Sequence, residues 1–476
     1  MWLRFPYELS GGESSVALAV LRIGQQPLIY QKLVGLPLFY PYTPLFAYLS
    51  FPLFVRFGSV YFAGRTVTLV SFLLSMFVLY RIFRLRQCKR LVAWIFAILP
   101  LSVSLIRGHA YFMQSDLTAI LFNLAGIFFF SRWAQDKGVQ RRPVDFILAL
   151  LFFSCAVFTK QNYIFAAMAC MVYLLLRRSW KECLCFALCQ AAFVVVPMFA
   201  LNFATRGAFF QNIFVSHING YHWFTLAEAW RLCPTVEGLW PLYLLSLIFF
   251  VLRVAAGDWN LLVIYFLTTA ASTLLVGKTG SHHHYFIEFT YACVLLLGGM
   301  MTFPFSKAAA ALLRTALWAV VLVRVVTSAL EIMDNVRTQP GEAARRVAQL
   351  VPVNRLLSQI HGPVISENTG LLIANGKPVI YQMHDLSLMA HSGHWDPKYF
   401  LNQLDSQVYP VIIVSQDFLG WRGRAQYFPG FLKSLMASYA VRGALADYIF
   451  LVPKSSVAAI EKMSDRNRRE RSGGVL

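Results

Sequence analysis

The chain has 476 residues, of which 58% are hydrophobic, 15% aromatic and only 13% charged. Soluble domains carry about 25% charged residues. This composition, with a mean hydropathy of +0.57, excludes a water-soluble enzyme, a disordered chain and a fibrous protein, and points to a polytopic α-helical membrane protein.

The net charge of +20 is not a nucleic-acid signature here. The arginines sit in short clusters between apolar runs, which is the positive-inside pattern. Residues 1–59 open without an apolar leader, since Met1 to Glu8 leads into polar Ser10, Gly11, Gly12 and Glu13. Apolar runs then follow at 60–83, 91–107, 117–132, 144–159, 162–176, 182–204, 238–253, 259–276, 286–304 and 309–330. A membrane helix needs about 20 such residues, so about ten spans are expected, several of them short. Arg84, Arg86, Lys89 and Arg90 fall on one side. Arg132, Lys137, Arg141 and Arg142 fall there too, with Arg177, Arg178, Lys181, Arg253 and Lys307, and that side reads as cytoplasmic. The other side receives Asp116, Lys160, the 205–237 loop, Lys278–Tyr285 and everything after 331. An even number of spans places both termini outside. If 43–57 also crossed, every later basic cluster would change sides, so it reads as a helix lying in the outer interface.

After residue 331 the character changes. Short β-rich runs at 363–366, 378–381, 411–414 and 448–452 alternate with helical stretches at 398–406 and 430–440. That alternation predicts an extracytoplasmic α/β domain over 331–460. Residues 461–476 read as a disordered basic tail. The cysteines form neither a disulfide framework nor a metal spacing, and this last region has none.

Polar residues gather at span ends on the outer side, where charge is costly unless it is solvated or used. Glu8 and Glu13 flank the opening glycines, as catalytic carboxylates or as solvated acids of a terminus. Asp116 opens a span, as a helix N-cap or with Arg107, His109 and Gln114 in a polar pocket. Lys160 and Gln161 are wedged between two spans, where the lysine either snorkels or meets a phosphate as a point charge. The densest cluster runs from Gly277 and Lys278 through His282, His283, His284 and Tyr285 to Glu288. Consecutive histidines diverge in direction, so a basic turn for an anionic headgroup fits better than a metal site. Glu288, one turn into its helix, is expected to face the protein interior. Arg324, inside the last span, either snorkels or lines the same pocket. The 205–237 loop adds Arg206, Asn212, His222 and Trp223. Phosphate-loop, dinucleotide and nucleophile-elbow motifs do not occur.

In this order the motifs resemble the GT-C superfamily of integral membrane glycosyltransferases, which includes the protein O-mannosyltransferases and the lipid A aminoarabinose transferases. The opening Tyr7-Glu8-Leu9-Ser10-Gly11-Gly12-Glu13 resembles F-E-L-D-Y-x-E-G. Tyr40-Pro41-Tyr42-Thr43-Pro44-Leu45 resembles Y-P-P-L, Ala63-Gly64-Arg65 matches A-x-R, and Ser115-Asp116-Leu117 resembles R-P-D-L. Thr159-Lys160-Gln161 matches T-K-Q, and Gly277-Lys278 through Glu288 resembles G-K-x-G-x-x-x-N-Y-F-x-E. The chain departs from the pattern at Ser10 (an aspartate there), Gln114 (an arginine) and His284 (an asparagine). It also begins where the family's first membrane helix is expected to end.

The resemblance implies a polyprenyl-phosphate sugar donor, a lipid, glycan or protein acceptor, and transfer on the outer face of a bacterial cytoplasmic membrane. It implies Glu8, Glu13 and Asp116 as catalytic carboxylates. Lys160, Gln161, Lys278, His282, His284 and Tyr285 are implied toward the donor phosphate, and Arg107, His109 and Glu288 in the pocket wall. No metal, cofactor or nucleic acid is expected. The competing reading is a non-catalytic membrane scaffold or a lipid-linked sugar transporter. Replacing Glu8 and Glu13 by Gln separates the two, because only an enzyme would lose its glycan product.

Overall fold

A computed structural model describes residues 2–32, 34–35, 38–135, 142–217, 220–303, 307–420 and 427–456. The expected tail 461–476, and Lys137 and Arg141 of one basic cluster, lie outside the described residues.

Helix α1 (Glu13–Ile23) is buried along most of its length and is followed by α2 (Leu45–Phe57). Gly58 ends α2 at φ +72°, a left-handed conformation that favours glycine. Ser59 then caps α3 (Val60–Leu85), its Oγ accepting from Phe62 N at 3.4 Å. α4 (Arg90–Ile98) and α5 (Ser104–His109) flank a 3-10 turn at Leu99–Ser102. α6 (Asp116–Gln135), α7 (Pro143–Thr159), α8 (Phe165–Leu176) and α9 (Trp180–Ala204) follow. The 205–237 loop folds as α10 (Ala208–Ile213) and α11 (Trp223–Val236). After α12 (Trp240–Ala255), Asn260 caps α13 (Leu261–Ser272) by accepting from Leu262 N and Val263 N. α14 (Tyr285–Met300) is buried on nearly every face, as a helix apolar around most of its circumference must be, and forms the centre of the bundle.

Among the described residues, four helices are long and apolar enough to cross a membrane: Val60–Leu85, Asp116–Gln135, Trp180–Ala204 and Ala311–Gln359. α11 and α12 add a fifth if the pair, bent by 110°, is one span. Of the about ten expected spans, several of them short, four or five reach full membrane-crossing length among the described residues. The segments expected at 91–107, 144–159, 162–176, 259–276 and 286–304 are shorter apolar helices, two of them finished by 3-10 turns.

The last span also differs. α15 (Lys307–Gln359) does not stop near 330 but runs on as one 53-residue helix. Pro340 ordinarily breaks a helix. Here the second half packs on the opening segment: Ala343, Val353 and Leu357 join Phe5 and Tyr7 in one buried cluster. Trp2 Nε1 donates to Gln339 Oε1 at 2.6 Å. Tertiary contact outweighs local propensity.

The chain then builds a four-stranded sheet in the order β1-β2-β4-β3. β1 (Val364–Ser366) pairs parallel with β2 (Val411–Ser415). β2 pairs antiparallel with β4 (Tyr448–Pro453), which pairs antiparallel with β3 (Tyr439–Leu445). Helices α16 (Thr369–Ala374), α17 (Met383–His391), α18 (Lys398–Asp405) and α19 (Phe431–Ser438) pack around it. The expected strand at 378–381 is not one. Val379 and Tyr381 are buried as side-chain plugs while Gln382 Oε1 accepts from Phe39 N at 2.5 Å. The expected helix at 430–440 ends at Ser438, where the unforeseen β3 begins. Only the first residue of β3 is buried and it is bulged at Val441/Gly443, so it shows no apolar alternation. The opening segment, α1 and the loop to α2 are clasped between this sheet unit and the helix bundle.

Candidate functional site

The opening segment is held by one buried ion pair. Arg65, in α3, and Glu13, first residue of α1, are both fully buried. Arg65 Nε donates to Glu13 Oε1 at 2.9 Å and Nη2 donates to Oε2 at 2.8 Å. The remaining donors reach backbone carbonyls of Trp2, Phe5 and Tyr7 at 2.6–3.0 Å. All five guanidinium N–H groups are thereby used. Glu13 Oε1 also accepts from Met113 N at 2.6 Å, and Oε2 from Leu9 N at 2.5 Å. Gly64 lets Met113 approach this closely, since a Cβ there would meet Met113 Cγ at 2.2 Å. A carboxylate with four donors has no lone pair left for an acceptor. The expected base role of Glu13 does not fit this geometry, and Glu13 is a clamp.

Glu8 lies elsewhere. Its Oε2 is sealed from solvent with no partner. A Cβ at Gly370 would meet Glu8 Cγ at 2.7 Å and the Tyr61 hydroxyl at 2.8 Å. Burial, with Glu13 adding to it, pushes the Glu8 carboxyl up to about 7, against the opposing pull of Ser14. No described hydrogen bond or ion pair links Glu8 to the Asp116 cluster.

Asp116 and Lys160 form the second buried pair, at 2% and 5% exposure. Lys160 Nζ donates to Asp116 Oδ1 at 2.8 Å and Oδ2 at 3.0 Å, and the Tyr163 hydroxyl donates to Oδ1 at 2.8 Å. Asp116 is the first helical residue of α6, and its carboxylate serves Lys160 and Tyr163 rather than capping the helix. Lys160, just past α7, lies over the Tyr42 ring at 5.2 Å, so it does not snorkel. His109 and His284 adjoin this pair. Burial pushes both imidazoles down, and Lys160 adds to this at His284, so both are neutral at neutral pH. His109 Nδ1 lies 2.8 Å from Leu105 O. Gln161 Nε2 donates to Pro41 O at 2.9 Å, while its buried Oε1 has no partner.

The histidine turn closes one side. His222 N donates to Gly277 O at 2.7 Å and Thr279 N to Gly220 O at 2.9 Å, so the α11 loop braces Lys278. Burial lowers the Lys278 ammonium and the His282 imidazole, with His384 next in effect on His282. Tyr285 follows the turn, its hydroxyl raised by burial. Among the described residues, no group of three His, Cys, Asp or Glu side chains is arranged to hold a metal. Glu288 faces the interior as expected. Its Oε1 accepts from Asn123 Nδ2 at 2.7 Å and the Tyr265 hydroxyl at 3.0 Å, joining α6, α13 and α14.

Two residues leave the expected pocket. Arg107 pairs with Glu331 at 2.6 Å and donates to Ser328 Oγ at 2.8 Å, pinning α5 to α15. Arg324 donates to Glu237 O at 2.7 Å at the end of α11, neither snorkelling nor lining the cluster.

One carboxylate enters that the sequence reading missed. Asp385, in α17, accepts from Ser15 Oγ of α1 at 2.8 Å and Gln382 Nε2 at 3.4 Å. Burial raises its carboxyl, opposed by His384 and Ser15. Tyr42, whose hydroxyl burial also raises, feels the charges of both Asp116 and Asp385. The adjacent pair His384-Asp385 was the available sequence signal.

Residues 40–203 match the family model described as dolichyl-phosphate-mannose-protein mannosyltransferase. No curated protein matches the chain significantly. Among solved structures, ArnT from Cupriavidus metallidurans in the apo state has a TM-score of 0.62 at 14% identity, covering 94% of both chains. The same protein bound to undecaprenyl phosphate scores 0.61 at 14% identity, covering 94% of this chain and 95% of that one. The apo oligosaccharyltransferase from Archaeoglobus fulgidus scores 0.53 at 10% identity, covering 91% of this chain and 69% of that one. The chain shares the fold of ArnT over nearly its whole length, and its residues 40–203 match the mannosyltransferase family model.

Proposed function

We propose that the chain is a membrane glycosyltransferase that moves a sugar from a polyprenyl-phosphate donor to a lipid, glycan or protein acceptor on the outer face of a bacterial cytoplasmic membrane. The observation that carries this reading is the buried Asp116–Lys160–Tyr163 constellation under Tyr42, at the sheet end of a GT-C fold. ArnT binds undecaprenyl phosphate, and the same class of ligand suits a site built from Lys160, Lys278 and the histidine turn.

In the reaction, the bond between the anomeric carbon and the phosphate oxygen breaks and a bond to the acceptor oxygen forms. The acceptor proton passes to a carboxylate, and the polyprenyl phosphate leaves with the electron pair. The protein must orient the acceptor and stabilise the phosphate charge. Lys160 and Lys278, with the Tyr285 hydroxyl and the neutral His282 and His284, face the phosphate. Asp116 aims Lys160, and Asp116 and Asp385 are the carboxylates beside the acceptor. Glu13 fixes the opening segment, while Glu8, Gln161, His109 and Glu288 shape the walls.

The test is turnover by purified protein of a panel of radiolabelled polyprenyl-phosphate hexoses and pentoses. Wild type should release polyprenyl phosphate with one of them. Asp116→Asn and Lys160→Met should each lower the rate by on the order of 100-fold or more. Donor binding with no turnover by wild type, or an Asp116→Asn variant as fast as wild type, would overturn the reading in favour of a scaffold or transporter.

A further inference from the structure

The bundle carries a second polar site at its other end. A cavity of about 320 Å³ is lined by Arg86, Arg253, Asp258, Asn260, Thr302 and Phe303, with further apolar groups. Arg86 directly follows α3, the helix that holds Arg65 near its start. At about 1.5 Å per residue the two lie roughly 32 Å apart along the axis, so this cavity is separate from the Asp116 cluster.

Its charges do not balance. Arg253, 8% exposed, pairs with Asp258 through Nη2. Its guanidinium also stacks on Phe303 at 4.4 Å and Phe249 at 5.5 Å. Arg86 has no ion pair among the described residues, and Arg253 is a close like charge. Burial and Arg253 together push Arg86 down to about 10, which leaves it charged at neutral pH. The Nε atoms of both arginines are sealed from solvent and have no partner. Two guanidiniums, that of Arg253 buried and that of Arg86 partly so, thus share one carboxylate, and their two sealed Nε donors remain unsatisfied. Such an arrangement is costly unless an anion completes it. A fork of N–H donors is the geometry that phosphate oxygens accept.

We propose that this cavity binds a phosphate-class anion between Arg86 and Arg253, either the phosphodiester of a lipid headgroup or free phosphate. The volume lies within the range of small-ligand sites. Leu262, Leu296 and Phe249 along the wall provide an apolar flank for the first methylenes of a lipid's acyl chains. The short basic clusters of this end of the bundle, Arg84 to Arg90 among them, raise the local concentration of anions.

The experiment is thermal unfolding of the full chain in neutral detergent, titrated with phosphatidylglycerol, with diacylglycerol as control. A parallel titration uses inorganic phosphate against sodium chloride of equal ionic strength. Wild type should show saturable stabilisation by one phosphate-bearing probe, and the apparent affinity should fall at least tenfold in Arg86→Gln. Asn260→Asp is the second variant. It keeps the cap of α13, because Asp caps as well as Asn, and puts a carboxylate into the cavity beside Asp258 in place of the Asn260 Nδ2 donor, so it should lose anion binding. Response to phosphatidylglycerol alone assigns the headgroup, and response to inorganic phosphate assigns the free anion. The proposal fails if neither probe stabilises wild type, or if both variants respond as wild type does.

Discussion

Gln114 Nε2 donates to Ser10 Oγ at 2.9 Å, joining the opening segment to the loop before α6. These are two of the positions at which the chain departs from the GT-C motifs it resembles, one in place of an aspartate and the other in place of an arginine. An acid and a base are absent together, and the two neutral residues in their places touch. The missing aspartate at position 10 therefore leaves no cation unpaired at 114, and it does not by itself indicate a decayed site.

Restoring the charges tests this coupling. Ser10→Asp alone places a carboxylate near the saturated Glu13 and should lower the melting temperature. Gln114→Arg alone should lower it too, by adding a cation with no anion. The double variant should recover most of the loss, with a coupling of about 0.5–3 kcal/mol in a thermal-unfolding cycle. Strict additivity of the two single effects would sink the idea that the exchange is paired.

Glu13 and Arg65 give a second cycle. Neutralising one partner of a fully buried pair strands the other charge and costs about 3–5 kcal/mol. Glu13→Gln should therefore destabilise strongly, and Arg65→Met similarly. Glu13→Gln combined with Arg65→Met should cost less than the sum. An unchanged unfolding midpoint for Glu13→Gln would contradict the clamp.

The sequence made much of this legible, for reasons that particular residues illustrate. Lys160 and Gln161 stand out because polar residues wedged between apolar runs are costly. Asp116 stands out because it opens one. That the two form a pair, 44 residues apart, was not legible, since no local period encodes a long-range contact. Asp385 was hidden for the same reason, its partner Ser15 lying 370 residues away. The continuation of α15 beyond 330 was not legible because the apolar run ends there and the clustering of Ala343 and Val353 with Phe5 is not local. β3 was missed because an exposed, bulged edge strand has no buried face to write into the pattern.

Glu8 carries a pH dependence. Its folded carboxyl is raised to about 7 from an ordinary 4.5, so between those values the folded state holds the proton and the unfolded state has lost it. Stability then falls as pH rises through this window. Glu8→Gln mimics the protonated form and removes that contribution. The melting temperature of wild type relative to Glu8→Gln should drop by several degrees from pH 5 to pH 8. A gap that stays constant with pH, or one that opens in the opposite direction, would show that Glu8 is not buried as described.

The proposed function gives Asp385 a role beside the acceptor, and this role can be separated from a purely structural one. Asn at 385 still accepts from Ser15 Oγ, so Asp385→Asn should fold and bind donor, yet lose roughly 10²–10⁴-fold in kcat if the group takes the acceptor proton. Activity must then rise with pH as Asp385 loses its proton, with an acid limb above the ordinary aspartate range because burial raises that carboxyl. Ser15 stabilises the ionised form, so Ser15→Ala should move the acid limb to still higher pH while leaving the plateau rate largely intact. A structural contact alone would change KM or stability and leave the limb in place. A normal kcat for Asp385→Asn, or a limb unmoved by Ser15→Ala, would return the proton-accepting role to Asp116 alone.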